Sequence, residues 1–385
     1  MMSETLTEWL LSEATLITST GELVEAFCEA ALRRKIPIDR VFLGTIVPHP
    51  QAAGVAVIYD RATEELKELE IDPLRFEELH RDHRSPIRFV LQRGSELRAP
   101  LSKGVDLGMS DLRELREQGH TDYIGLPLSF MGRTAGAFGL STRHPDGFSD
   151  EQLRRLRAAM PALSAVAYLV IQRLVQRTLL QAYLGQDAGS RVHRGQVRRG
   201  QGATLRAAIL FADMRGFTKL STSQPRDVVL ECINAVFEVV VEAVQAQGGQ
   251  VLKFMGDGLL ATFGNPSDHL ACIAAERAAL QAQTVLDELA TKRLTEDRYT
   301  PGLGLGLHLG EVMYGNIGAP GRLDFTVIGE AVNLAARIEA VCSKVDEKIL
   351  MSADFVGALN QERRRCGEFE LKGVPHPVAV FAPNG

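Results

Sequence analysis

The sequence predicts an α+β protein of two domains, the second a split βαβ sandwich with its helices on one face of the sheet. Three observations predict it. The chain has 385 residues, the length of two ordinary domains. A basic, glycine-bearing stretch, QDAGSRVHRGQVRRGQG at 186–202, interrupts it. Beyond that stretch the apolar pattern runs strand, helix, strand, strand, helix, strand. The expected boundaries are a first domain at 1–170, a helical and basic linker at 171–202, and a second domain at 203–385.

In the first domain, Leu6, Leu10, Leu16, Leu23, Phe27 and Ala31 fall at helical spacing and predict helix over 6–32. β-Branched and aromatic runs predict strands at 41–47 and 54–59. Residues 61–120 are heavily charged and read as surface helices and loops. His80 and His83 in this region (HRDH) are spaced for a metal, an exposed charged loop being the simpler reading. Strands are predicted at 123–130 and 134–142, joined by a Met-Gly-Arg hairpin turn. HPDGFSDEQL then starts a helix, with Ser149 as N-cap and Gln152 completing a capping box. Leu156, Met160, Leu163, Ala167, Val170 and Leu174 step by 4 and 3 along that helix. This heptad stripe reads as a core-facing side or as a parallel seam between two copies, and its run into the linker favours the seam. Pro161 predicts a kink or a fresh helix start.

In the second domain, strands are predicted at 205–212, 251–254 and 259–263, the last two joined by a tight Met-Gly-Asp-Gly turn. Pro225 opens and Gly248-Gly249 closes a helix over 225–247. A helix at 267–294, strands at 303–309 and 312–317 separated by Gly310-Glu311, and a helix at 330–342 follow, with short β elements at the end.

Composition excludes several function classes. Hydrophobic content of 45% and charged content of 24% are those of a soluble globular chain, and a net charge of -5 gives no footprint for nucleic acid. The longest strongly apolar run, 158–171, contains Pro161 and falls short of the ~20 residues of a membrane span. The N-terminal stretch is interrupted by acids and lacks the basic region of a secretory signal. Cys28, Cys232, Cys272, Cys342 and Cys366 are scattered and odd in number, as for thiols in a reducing compartment. A cytoplasmic protein is expected, with no nucleic-acid or membrane partner.

The chemistry concentrates in three motifs. Asp213 ends the first strand of the second domain, in ILFADMRGFT, and Asp257 sits in the hairpin turn of VLKFMGDGLLATF. In a split βαβ fold these strands are neighbours at the sheet centre, so the two carboxylates converge. Paired hard oxygens suit Mg²⁺ or Mn²⁺, and a two-metal site stabilises the attacking and leaving oxygens of a phosphoryl displacement. Each Asp taken alone is equally a turn or cap residue. The amides of 215–217, leading into a helix start, are placed to cradle an anion. Asn333 and Arg337, in DFTVIGEAVNLAARIE, are four apart and share a helix face, as groups for a ribose oxygen and a phosphate charge would.

These three motifs, in order and spacing, resemble the signatures of class III nucleotidyl cyclases over essentially all of the second domain. The resemblance implies a ferredoxin-like (βαββαβ) catalytic domain that makes cyclic AMP and pyrophosphate from ATP, with two Mg²⁺ or Mn²⁺ ions per site. It implies metal ligation by Asp213, Asp257 and the backbone carbonyl of Met214, and adenine reading by Lys253. It assigns ribose orientation to Asn333, transition-state charge to Arg337 and triphosphate grip to Lys372. It implies that the backbone of the Arg-Gly-Phe turn faces the triphosphate, with Phe217 among the substrate-binding residues. Thr326 stands at the second purine-reading position, where animal adenylyl cyclases carry Asp, and resembles a bacterial Lys/Thr subset. Guanylyl cyclases carry Glu and Cys at those positions. A homodimer is implied, its sites shared between subunits: the aspartates from one chain, Lys253, Thr326, Asn333 and Arg337 from the other. A silent nucleotide- or partner-binding module is the alternative.

In the first domain, DYIGLPLSFMGRTAGAFGLSTRHPDGFSDEQLRRL resembles the C-terminal half of a GAF domain. That implies an α/β sensor for an unknown small ligand or a dimerisation platform, acting by shifting the exit helices.

Overall fold

The computed structural model describes residues 5–47, 53–72, 85–103, 108–296 and 298–384. His80 and His83 lie outside the described residues. The chain divides into two compact units, Met1–Leu179 and Leu180–Gly385.

The first unit opens with two helices, α1 (Leu6–Leu11) and α2 (Thr20–Arg33), where one was expected. Polar caps divide them: Thr5 and Ser19 each accept a backbone N–H at a helix start. The strands β1 (Arg40–Ile46), β2 (Gly54–Asp60), β3 (Glu65–Ile71), β4 (Leu97–Ala99), β5 (Asp122–Phe130) and β6 (Arg133–Thr142) form one antiparallel sheet in the order β3-β2-β1-β6-β5-β4. The strand β3, ELKELEI, corrects the reading of 61–120 as helices and loops. It is an edge strand with exposed charges along it, so no apolar alternation marks it, and its ladder with β2 holds it. The turn between β5 and β6 places both Met131 (φ 49°) and Gly132 (φ 73°) in the left-handed region, the backbone that a two-residue hairpin needs. Two further helices, α3 (Pro86–Arg93) and α4 (Ser110–Glu117), lie between β3 and β5 in sequence.

The helix α5 (Asp150–Leu184) begins at the expected capping box: Gln152 N donates to Ser149 Oγ at 3.3 Å and Ser149 N to Gln152 Oε1 at 2.9 Å. It runs unbroken through Pro161, which lies on the exposed side, where water can take up the carbonyl the proline leaves unpaired. The heptad stripe is largely spent inside the unit: Leu156, Leu163 and Ala167 are at most 1% exposed in the core with α2 and the sheet, Val170 is 5% exposed, and Leu174 is 37% exposed. The seam reading is corrected accordingly. By length and composition α5 would pass as a membrane span, which the count of contiguous apolar residues did not anticipate; more than half of that stretch is buried in the protein.

In the second unit, α6 (Gln186–His193) forms within the basic stretch and buries Ala188. The strands are β7 (Gly202–Met214), β8 (Gln250–Met255), β9 (Gly258–Phe263), β10 (Leu303–Ala319), β11 (Arg322–Ile328), β12 (Ile349–Ser352), β13 (Arg364–Phe369) and β14 (Val378–Ala382). The sheet order is β13-β14-β12-β10-β7-β9-β8, with β11 on β10. Its β10-β7-β9-β8 core is the split βαβ order. One strand, β10, replaces the two expected, because β7 pairs with it without a break from Met214↔Leu303 to Gly202↔Gly315 and carries the ladder across Gly310-Glu311. The strand β11 was not expected at all.

The remaining helices are α7 (Phe217–Ser223), α8 (Arg226–Ala246), α9 (Asp268–Thr295), α10 (Glu330–Glu339), α11 (Cys342–Val345) and α12 (Ala353–Leu359). They occupy both faces of the sheet, not one. Ala208, Leu210 and Ala212 of β7 pack with α8 and α9, whereas Ile209 packs with Ala331 and Ala335 of α10. Period-two alternation on β7 therefore puts Asp213 on the α10 side.

Candidate active site

Asp213 stands at the C-terminal end of β7, opposite Gly258 on β9 and Gly304 on β10. Both partners are glycine for a steric reason. A Cβ on Gly258 would lie 2.9 Å from Asp213 Oδ1, and one on Gly304 would overlap Glu339 Oε1. The Met214 amide donates to the Asp257 carbonyl at 3.2 Å, tying the β8–β9 turn to the end of β7. The structure thus brings Asp213, Met214 and Asp257 together at the sheet centre.

Glu339, at the end of α10, joins this group and was not found from the sequence. The legible signal was GLGLGL at 302–307: alternate glycines on one strand face mark a close backbone approach. A Cβ on Gly306 would overlap the Ala335 carbonyl, so α10 can lie this near to β10 only because the strand is bare there. The acids feel one another. Burial, then the Asp257 charge, pushes the Asp213 carboxyl up to about 6. Burial, then Asp213, raises Glu339 to about 7, with Arg215 opposing.

A site in which buried carboxyls are driven toward their protonated forms is short of positive charge, and its hard oxygens fit Mg²⁺ or Mn²⁺. Among the described residues no three His, Cys, Asp or Glu side chains gather as a cage for an ion. Two carboxylates and a carbonyl instead suit an ion that keeps waters and shares phosphate oxygens.

The turn after Asp213 departs from expectation in one respect. The Arg215 amide donates to the Gly302 carbonyl at 2.8 Å, so it is not available to an anion. The Arg215 guanidinium reaches back to the Glu347 carbonyl. Gly216 caps α7 with φ 71°, and Phe217 begins that helix half-buried against the core.

The other predicted residues form two groups. Lys253 on β8 makes an ion pair with Asp324 on β11, with side chains 44% and 41% exposed. Thr326 lies two residues along β11, on the same face as Asp324 and 8% exposed. Both proposed purine readers therefore stand beside Asp324, an acid the sequence did not single out. Asn333 and Arg337 share a face of α10, and the Arg337 guanidinium lies 3.5 Å from the Cβ position of Gly373, next to Lys372. Glu339 is about 200° around the helix from Arg337. The helix side carrying Asn333 and Arg337 thus turns away from the Asp213 carboxylate of its own chain.

Residues 202–382 match the family model of the adenylate and guanylate cyclase catalytic domain. An uncharacterised protein of Mycobacterium tuberculosis is 33% identical over 213 residues, which are 54% of this chain and 38% of that protein. The chain thus spans little more than a third of the length of such relatives. Among solved structures, the adenylyl cyclase CyaB from P. aeruginosa is 26% identical, with 47% of this chain and 94% of that one covered and a TM-score of 0.44. A guanylyl cyclase is 30% identical, with 47% and 92% covered and a TM-score of 0.42. A bacterial light-regulated adenylyl cyclase covers 90% of this chain and 94% of its own at 17% identity and a TM-score of 0.52, a likeness of fold alone.

Proposed function

We propose that this chain, whose residues 202–382 belong to the adenylate and guanylate cyclase catalytic domain family, converts ATP to 3′,5′-cyclic AMP and pyrophosphate as a cytoplasmic homodimer. The observation that carries the reading is the pairing of Asp213 and Asp257 at adjacent strand ends, where burial and the Asp257 charge hold Asp213 short of full ionisation. Bound Mg²⁺ or Mn²⁺ would supply charge neutralisation for the triphosphate and for the attacking 3′-oxygen. Asp213, Asp257 and the Met214 carbonyl would hold it.

The chain's own groups do the rest. The ribose 3′-oxygen attacks the α-phosphorus; the new O–P bond forms as the bond to the pyrophosphate oxygen breaks, and the hydroxyl proton passes to solvent water. Asn333 orients the ribose, Arg337 meets the charge that grows on the α-phosphate, and Lys372 grips the leaving phosphates. Lys253 donates to adenine N1, and the Thr326 hydroxyl accepts from the 6-amino group. Since Asn333 and Arg337 face away from their own Asp213, two chains related by a two-fold axis would complete each other's sites. The N-terminal unit, read as GAF-like, would set activity by shifting how the two catalytic domains meet.

Asp324 favours a second reading. Its carboxylate beside Lys253 is an acceptor of the kind guanine N1–H requires, which makes GTP a competing substrate. The test is the purified chain with ATP or GTP and each metal, with cyclic products resolved by chromatography. No cyclic product under any condition would sink the enzyme assignment in favour of a silent binding module. Asp213→Ala and Asn333→Ala chains should each be inactive and regain turnover when mixed; dimers that form and stay inactive refute shared sites.

A further inference from the structure

Asp213 on β7 has a glycine opposite it on each side, Gly258 on β9 and Gly304 on β10. Residues directly opposed on antiparallel strands send their side chains to the same face of the sheet, with Cβ positions ~5 Å apart. The two bare positions are filled differently. A Cβ on Gly258 would lie 2.9 Å from Asp213 Oδ1, so the Asp213 carboxylate leans toward β9, where Asp257 adjoins Gly258. A Cβ on Gly304 would overlap Glu339 Oε1. The Glu339 carboxylate, delivered by α10, thus takes the place of a side chain at 304. It stands beside Asp213 on the same face, on the flank away from Asp257.

Nothing in the chain occupies that carboxylate. Glu339 is half-buried, and among the described residues it has no side-chain hydrogen bond and no ion pair. Arg215, whose charge reaches it, spends its guanidinium on the Glu347 carbonyl. The Glu339 oxygens are nonetheless open to water. A carboxylate partly stripped of water with no donor in return costs stability, and the cost is offset where a cation and its waters share the acid. Among the described residues no three His, Cys, Asp or Glu side chains gather closely enough to cage an ion. Glu339 is therefore placed to accept from a water kept by an ion on Asp213 and Asp257, not to replace that water.

We propose that Glu339 is a positioning residue of the metal site, its carboxylate accepting from metal-held water and so fixing the ion for the triphosphate. The proposal rests on the reading of Asp213 and Asp257 as metal ligands. Outer partners of this kind are worth about 10- to 100-fold in metal affinity.

The test is titration of the full chain with Mn²⁺ in the absence of nucleotide, followed by the electron paramagnetic resonance signal of the free ion. Glu339→Gln, which keeps the shape and drops the charge, should weaken Mn²⁺ about 10- to 100-fold. Asp213→Asn should weaken it at least as much. Gly304→Ala reaches the same acid by another route: the three nearest atoms its methyl would meet all belong to the Glu339 side chain, which must move aside. Since both changes remove one carboxylate, the double variant should bind Mn²⁺ no more weakly than Glu339→Gln alone, whereas separate disturbances of strand and helix would add. The role is overturned if either single variant, melting like the parent, binds Mn²⁺ as the parent does, or if the two losses add. Loss in Asp213→Asn alone would leave the two aspartates standing as ligands without Glu339. A parent that binds no Mn²⁺, or an Asp213→Asn chain that binds it unchanged, would overturn the ligand reading and this role together.

Discussion

Asp213→Asn should stabilise the metal-free protein while abolishing turnover. The Asp213 carboxyl rises from 3.8 to about 6 because folding buries it and sets it beside Asp257. A shift of that size corresponds to ~3 kcal/mol at ~1.4 kcal/mol per unit. Asp213 keeps some contact with water, so screening reduces the gain to ~1–2 kcal/mol. The sign follows from linkage. A carboxyl whose folded pKa is raised favours the folded state fully only below its unfolded value near 3.8, and that contribution is lost as pH rises through about 6. The advantage of Asn should therefore be full above pH ~6 and narrow as pH falls toward ~4. For a unit of this size the gain reads as a melting shift of ~2–8 °C. Differential scanning calorimetry in chelator measures it. The chain's single tryptophan, Trp9, is buried in the N-terminal unit, so its emission identifies which transition belongs to which unit. With Mg²⁺ and a non-hydrolysable ATP analogue at about 100 times Kd, the parent should gain ~2.7 kcal/mol and the Asp213→Asn protein nothing, which reverses the order. A variant no more stable than its parent at neutral pH without metal, or a gap that does not narrow with acid, refutes the account of a charge-starved site.

The remaining predictions concern other parts of the molecule. Gly306→Ala should cost about 2–3 kcal/mol or more in urea unfolding, because its Cβ would meet the α10 backbone, which cannot step aside as a side chain would; a loss under about 1 kcal/mol would show that α10 is not seated as described. His120 is 2% exposed with both ring nitrogens unpartnered, and burial, then the Arg143 charge, lowers its pKa to about 4. Its folded value being depressed, its contribution is intact above pH ~6.5 and lost as pH falls toward ~4, ~3 kcal/mol in all; Trp9 emission in urea should show that slope in the parent and not in His120→Gln. Asp324→Asn frees Lys253 from its ion pair and removes the acceptor beside it, so the ratio of ATP to GTP turnover should rise several-fold; an unchanged ratio would remove Asp324 from purine choice.

The catalytic half was largely legible because its signals are local. A strand ending in Asp213, a Gly-Asp-Gly turn and an Asn-Arg pair one helical turn apart are all fixed by period and turn chemistry within a few residues. The hairpin at Met131-Gly132 and the capping box at Ser149 were legible for the same reason. What failed was long-range. The charged strand β3 is a strand only because β2 lies beside it, and β10 runs through Gly310-Glu311 only because β7 continues opposite. The stripe on α5 fits a partner helix and its own sheet equally well as a pattern, and burial alone decided for the sheet. Glu339 is one more acid on a helix until α10 settles onto the glycines of β10 and carries it to Asp213.

By itself, then, the sequence determined the local signals: an acid at a strand end, another in a tight turn, and an amide and a cation on one helix face. The tertiary structure decided which of them meet, turning Asn333 and Arg337 away from their own Asp213 and bringing Asp324 to Lys253. Propensity and turn chemistry act over a few residues, whereas strand pairing and helix docking join residues far apart in the chain through contacts that no local pattern encodes.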